Sequence, residues 1–525
     1  MKRTISNLLA ISAAAFSSGP LTAATWLYWN GGDGKWSESS SWRGGASAPL
    51  EGDNAVVFED GASSVVDIDT AVKINNWVFR ASGGSYPDAV FSWTGVGSLT
   101  STSQSACSLG EGRRLTMDGP RVHVERQLLV GTNAVLVVRS GHLTSSTSSD
   151  AASPIEVRKG GVFSVSGGSV DTYGMDVKEE ASLIVKGGQL KCATTFSAHE
   201  SAHVELSGGI LDMVTAKTPV LPADAFLFKG GVLRYRDSSR YLTQGDAHLL
   251  PPVDGVLDIV ETKSPTCFRI DAEGTTSFGG TLVCTNSVAS YSEGLWFEKK
   301  THVIDGGGTV LANRVKVRFN TGVSITMKLK KLLLKDGFEV DSSSATLIFP
   351  DGIEFGAWDD WTDGSVVPIV KLAGDVKCNT LDCLDGATKR SIQMKNCIDT
   401  GMTSLTAEGG GTVDLAFPAG INALESLTVG ADTTLALTNT KFSIAVRKLK
   451  MEAGAKILLV PGRCALEVQE SPELDDTARI VFAPPSSLVE NEKYPLWISG
   501  GDSDKFKNLA SVVRCLRKFQ LSGEE

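Results

Sequence analysis

Apolar residues recur at alternate positions along this chain, in short runs broken by turns. One frame holds LLVGTNAVLVVRSGHL from Leu128, IEVRKGGVFSVSGGSV from Ile155, MDVKEEASLIVKGGQL from Met175 and FSAHESAHVELSGGIL from Phe196, spaced by 27, 20 and 21 residues. A fifth row, TPVLPADAFLFKGGVL, starts at Thr218, and two late rows, LTVGADTTLALTNTKF from Leu427 and LKMEAGAKILLVPGRC from Leu449, lie 22 apart. Counting the first residue of each row as zero, positions 2, 8, 10 and 15 are apolar, position 6 is mostly small, and positions 12 and 13 are commonly Gly-Gly. Alternation with period two predicts strands, and the glycines predict turns that need positive φ or close backbone approach. Each row therefore reads as strand, turn, strand, glycine turn, strand.

Short strands repeating at this interval predict an all-β fold, a parallel β-helix or solenoid. One coil cannot bury its apolar face alone and must stack on the next. A β-sandwich has no reason to hold a single register over seven rows. After residue 234 the frame loosens, although GVLDIV, FGGTLVC and GGGTVDLAF keep the glycine-then-strand habit, so irregular coils are expected there. SATLIFPDGI with VVPIVKLAGD is echoed by TARIVFAPPS with KYPLWISGGD, which places a boundary near 385. The division is a leader over 1–24, a Trp/Gly-rich N-terminal cap with the first coils over 25–100, a β-helix over 101–385, and C-terminal coils with a cap over 386–525.

The leader reading rests on MKRTISNLLAISAAAFSSGPLTAA: a basic start, an apolar run too short to span a bilayer, and small residues before a cleavage point. It predicts export to the extracellular space or cell surface of a bacterium, with the periplasm as the alternative, and no transmembrane segment after cleavage. A net charge of -10, with KLKKLLLK as the largest basic cluster, argues against nucleic acid as a partner. Nine cysteines are spread thinly, and only Cys378 and Cys383 lie close in sequence. A disulfide between those two is one option in an exported chain; buried thiols are the other.

The opening segment TWLYWNGGDGKWSESSSWRGGASAPLEGDNAVVFEDG carries spaced tryptophans and glycines (Trp29, Gly32, Gly34, Trp36, Trp42), then Pro49, Gly52, Asp53 and Val56 to Phe58. With the rows that follow, it resembles secreted bacterial proteins with autotransporter-associated β-strand repeats. The resemblance implies a passenger-like, pectin-lyase-like β-helix, right-handed, at the cell surface or outside the cell, with no catalytic residues to carry over. After the repeats comes the short, charged RCLRKFQLSGEE, so a translocating barrel, which would need many strands, is not expected there.

Three groups of residues could carry chemistry. His199, Glu200 and His203 spell HExxH, which on a helix binds zinc through both histidines. Here the frame puts His199 and Glu200 in a turn beneath Lys178 and Glu179, and His203 outward on a strand, so the match is read as fortuitous and no metal is expected. FGAWDDWTDGS interleaves Trp358 and Trp361 with Asp359, Asp360 and Asp363. Tryptophans beside carboxylates can stack on sugars and bind their hydroxyls, so this is the candidate carbohydrate-binding segment; a turn closing a gap in the coil is the plainer alternative. The tryptophans of the opening segment read as a cap over the open end of the solenoid rather than as a sugar platform.

No GGxGxD calcium repeat, GxSxG elbow or P-loop occurs, and no cofactor is expected. The expected function is that of a non-enzymatic scaffold or adhesin-like protein, contacting extracellular glycans or other surface proteins. The alternatives are a polysaccharide lyase or glycoside hydrolase, or a noncatalytic glycan-binding protein.

Overall fold

The computed structural model describes residues 25–50, 55–59, 63–80, 90–102, 105–146, 154–214, 219–236, 242–260, 266–270, 273–284, 294–298, 301–318, 324–340, 346–350, 353–357, 369–386, 389–415, 423–437, 444–460, 466–482, 497–499 and 513–515. Among these the chain is all-β, and its only helical segments are the 3-10 turns Ser39–Ser41, Arg43–Gly45 and Gln244–Leu249. The strands stack in parallel as a β-solenoid, with a nine-stranded sheet on one side of the N-terminal coils and a larger sheet on the rest.

The sequence rows are the coils. Ser182–Val185 lies between Val162–Val165 and His203–Leu206 in the nine-stranded sheet, and Gln189–Ala198 pairs with Ser169–Val177 through a bulge that turns the strand. Met175 pairs with Phe196, Val177 with Ala198, Leu183 with Val204, Val185 with Leu206 and Leu190 with Leu211. All ten side chains are buried. One apolar column runs from Leu99 through Val122, Leu143, Val170, Leu190, Leu211 and Leu233 to Leu257, Leu282, Val310 and Leu332. Each such residue contributes roughly 1.5–3 kcal/mol on burial.

The glycine turn is fixed by sterics at position 13. Gly188 has φ +65°, and a Cβ there would collide with the Gly168 carbonyl oxygen of the preceding coil. Gly141, Gly168, Gly209 and Gly231 share the positive φ. A second left-handed site falls at position 5, where Asn133, Glu180 and Asp432 adopt φ of 53–56° alongside Gly160 and Gly454.

The N-terminal end is closed by packed aromatic rings. Trp29, Trp36 and Trp42 are buried, with Trp29 and Trp36 edge-on to Trp42 at 5.3 and 5.0 Å. The Trp36 Nε1–H donates to the Pro49 carbonyl at 3.0 Å and the Trp42 Nε1–H to the Trp36 carbonyl at 3.0 Å. Phe58 stacks on Phe79 at 4.4 Å beneath them. These rings are committed to the core, and of the four opening tryptophans only Trp26 is exposed.

Three features differ from the sequence frame. In the row from Thr218, Val220 is 50% exposed and pairs with Ser197, while Leu221 takes the inward place. The turn after it is one residue shorter, since Ala198 to Val204 spans six positions and Leu221 to Phe226 five, with Val204 and Phe226 in register. A slip of one residue reverses every side chain up to that turn. A further coil, CSLGEGRRLTMDGPRV from Cys107, precedes the row from Leu128 by 21 residues and pairs with it in register. The buried Arg113 occupies its small-residue position and hides the likeness.

The looser frame after 234 proves to be variable spacing around an unbroken column: Leu233, Leu257, Leu282, Val310 and Leu332 are separated by 24, 25, 28 and 22 residues. The parallel stack is then interrupted once among the described residues. Ile369–Gly386 pairs antiparallel with Thr346–Phe349, Ile353–Ala357 and Lys389–Glu408. Lys389–Glu408 in turn starts a new parallel series with Gly411–Leu415 and Leu424–Val429. Gly386 pairs with Lys389 where the chain reverses.

Candidate functional site

The HExxH residues occupy a turn and the strand after it. Gln189–Ala198 ends just before His199, and His203–Leu206 begins the next strand, so helical i, i+4 projection is absent. Ala202 N–H donates to the His199 carbonyl at 2.9 Å, closing the turn, and His199 Nδ1 accepts from the Ser201 N–H at 3.2 Å. His203 is exposed and faces Glu205 at 3.5 Å; Glu205 also takes an ion pair from Lys229 at 2.9 Å. That lysine, one coil on, holds the Glu205 carboxyl below its usual range. Among the described residues no group of three His, Cys, Asp or Glu side chains could hold a metal ion.

Trp358, Asp359, Asp360, Trp361 and Asp363 lie outside the described residues. Cys378 and Cys383 sit on one extended strand, Ile369–Gly386, five residues apart. That backbone separates their Cα atoms by about 16 Å, whereas a disulfide spans about 4.4–6.8 Å. The geometry does not fit a bond between them. Cys107, Cys192 and Cys284 are buried and form no disulfide, and burial pushes the Cys107 thiol up to about 11, where it is unreactive.

The outward face of the larger sheet carries the main constellation. Thr100, His123, Thr144, Asp171, Lys191, Asp212, Arg234 and Asp258 follow one another in register, one residue per coil. Beside them runs a second column, Arg121, His142, Ser169 and Gln189. Strand alternation places both columns on the face opposite the Leu190 column. From Asp171 to Asp258 the charges alternate in sign, so each carboxylate neighbours a cation on an adjacent coil.

Contacts along this face cross between coils. His123 Nδ1 lies 2.7 Å from Thr144 Oγ1, and His142 Nδ1 lies 2.5 Å from Ser169 Oγ, with His142 Nε2 3.6 Å from Asp171 Oδ2. A serine, a histidine and an aspartate in contact are the elements of a nucleophilic triad. Here they are neighbouring rungs of a sheet surface, with His142 and Asp171 substantially exposed, and do not exclude water from a reacting centre.

Further along, Arg234 bridges two carboxylates, Nε to Asp258 Oδ2 at 3.3 Å and Nη1 to Asp212 Oδ2 at 3.8 Å. Asp212 is buried. Burial raises the Asp258 carboxyl above its usual value, opposed by Arg234 and reinforced by the charge of Asp212. Neither column was legible in the sequence as a site, because their members lie 20 to 27 residues apart and meet only through the coil register. The main column falls at position 16, one place beyond the apolar residue that ends each row, where Thr144, Asp171, Lys191, Asp212 and Arg234 follow one another down the frame. Reading that position down the rows is the signal that could have found it.

Comparison of the chain with family models, with curated proteins and with solved structures gives no match.

Proposed function

We propose that the protein is a secreted, non-enzymatic β-solenoid acting as an extracellular or cell-surface scaffold or adhesin-like protein. The observation that carries this reading is the outward ladder from Thr100 to Asp258, a polar strip built one residue per coil. Its ionic groups alternate in sign and are spread along the axis, an arrangement suited to extended contact with a glycan or another surface protein. Leader-like residues at the start of the chain support export.

The second reading is a polysaccharide-active enzyme, favoured by one observation: Asp212 and Asp258 flank Arg234 on the coils before and after it, and burial raises the Asp258 carboxyl. A carboxyl raised by burial near a second acid is what a general acid needs in glycoside hydrolysis. A panel of neutral and acidic polysaccharides, assayed for binding and for released reducing ends or unsaturated products, distinguishes the two. Binding without product, weakened when Lys191 and Arg234 are changed, supports the scaffold. Turnover abolished by Asp258→Asn would replace it with the enzyme.

A further inference from the structure

The single antiparallel hairpin among the described strands brings two cysteines into register. Cys378, on Ile369–Gly386, is the direct partner of Cys397, on Lys389–Glu408, just past a one-residue shift in register that follows Lys377. Directly opposed residues of an antiparallel pair share one face of the sheet, with Cα atoms about 4.5 or 5.5 Å apart. Both values fall inside the span of about 4.4–6.8 Å that a disulfide bridges. Cys383 has Ile392 opposite it and no cysteine partner in the register.

We infer that Cys378 and Cys397 form a disulfide that pins the hairpin where the parallel stack is interrupted. The inference shares with the proposed function only its premise of export to an oxidising compartment. The two thiols lose two protons and two electrons as the Sγ–Sγ bond forms. A disulfide oxidant, either a thiol–disulfide oxidoreductase or oxidised glutathione, accepts them and leaves as two thiols. The bond would tie strands that meet across the chain reversal, while Cys107, Cys192 and Cys284 stay reduced in the core.

The test uses the full-length chain, equilibrated with oxidised glutathione, denatured, alkylated without reduction and digested with trypsin plus a protease cleaving before aspartate. The second cut, before Asp382, separates Cys378 from Cys383. The expected result is a peptide containing Cys378 linked to one containing Cys397. In Cys383→Ser the link persists, and in Cys397→Ser the Cys378 peptide is recovered alkylated. A Cys378–Cys383 link, or alkylation of both Cys378 and Cys397 in the oxidised wild-type chain, would overturn the inference. Neither result alters the outcome of the polysaccharide panel.

Discussion

Arg234 and Asp258 are register partners on adjacent coils, joined from Nε to Oδ2 at 3.3 Å. The same guanidinium lies near the buried Asp212 of the preceding coil, so one cation serves two carboxylates. Replacing it with an apolar side chain of similar length leaves both acids less compensated. Arg234→Met is expected to destabilise by about 1–2 kcal/mol at neutral pH, measured by urea denaturation.

The pH dependence of this group follows from its sign. A carboxyl whose folded pKa is raised contributes stability that is fully present below the unfolded value and is lost as pH rises through the folded value. Burial raises Asp258 in this way. Asp258→Asn therefore removes a part of the loss of stability on going from acid to neutral pH, and its difference from wild type shrinks as the medium is acidified. Paired unfolding curves across that range check it.

Two glycines with similar backbone angles should differ sharply. At Gly188 a Cβ collides with the backbone of the preceding coil, whereas at Gly112, with φ +69°, nothing lies within 4 Å. Gly112→Ala should cost on the order of 1 kcal/mol from its left-handed backbone alone. Gly188→Ala should cost several times more or prevent folding. Circular dichroism with denaturant titration of both variants makes the comparison.

The double variant His199→Ala, His203→Ala should leave metal content unchanged and stability within about 0.5 kcal/mol, as for surface positions in general. Elemental analysis of the purified protein checks it; stoichiometric zinc lost in the variant would contradict the turn assignment.

Most of the coil architecture was legible because burial repeats with the register. Leu183 and Val185 above Val204 and Leu206 can be read from letters alone, and so can the turn role of His199. The row from Thr218 reads wrongly at its start because the turn from Pro222 to Ala225 is one residue shorter, and a frame anchored on Gly230 and Gly231 carries that error back to Val220. The row from Cys107 escapes the frame because Arg113 stands where most rows place a small residue. The pairing of Asp212, Arg234 and Asp258 depends on which outward position of each coil stacks on which, and only the strand register supplies that. The antiparallel pairing of Ile369–Gly386 with Lys389–Glu408 has no counterpart in the repeat, since alternating apolar residues specify strands without specifying their direction.

The outward ladder advances by one residue per coil, and a distance measured between spin labels at Thr100 and Lys191 tests this most directly. These residues are 91 apart in sequence but four rungs apart through His123, Thr144 and Asp171. At about 4.8 Å per rung the backbone separation is about 19 Å. A narrow distribution near that value, widened only by the label arms, is the predicted result. A broad distribution, or one centred well beyond about 30 Å, the length of roughly six rungs, would contradict the stacked coils and the surface they build.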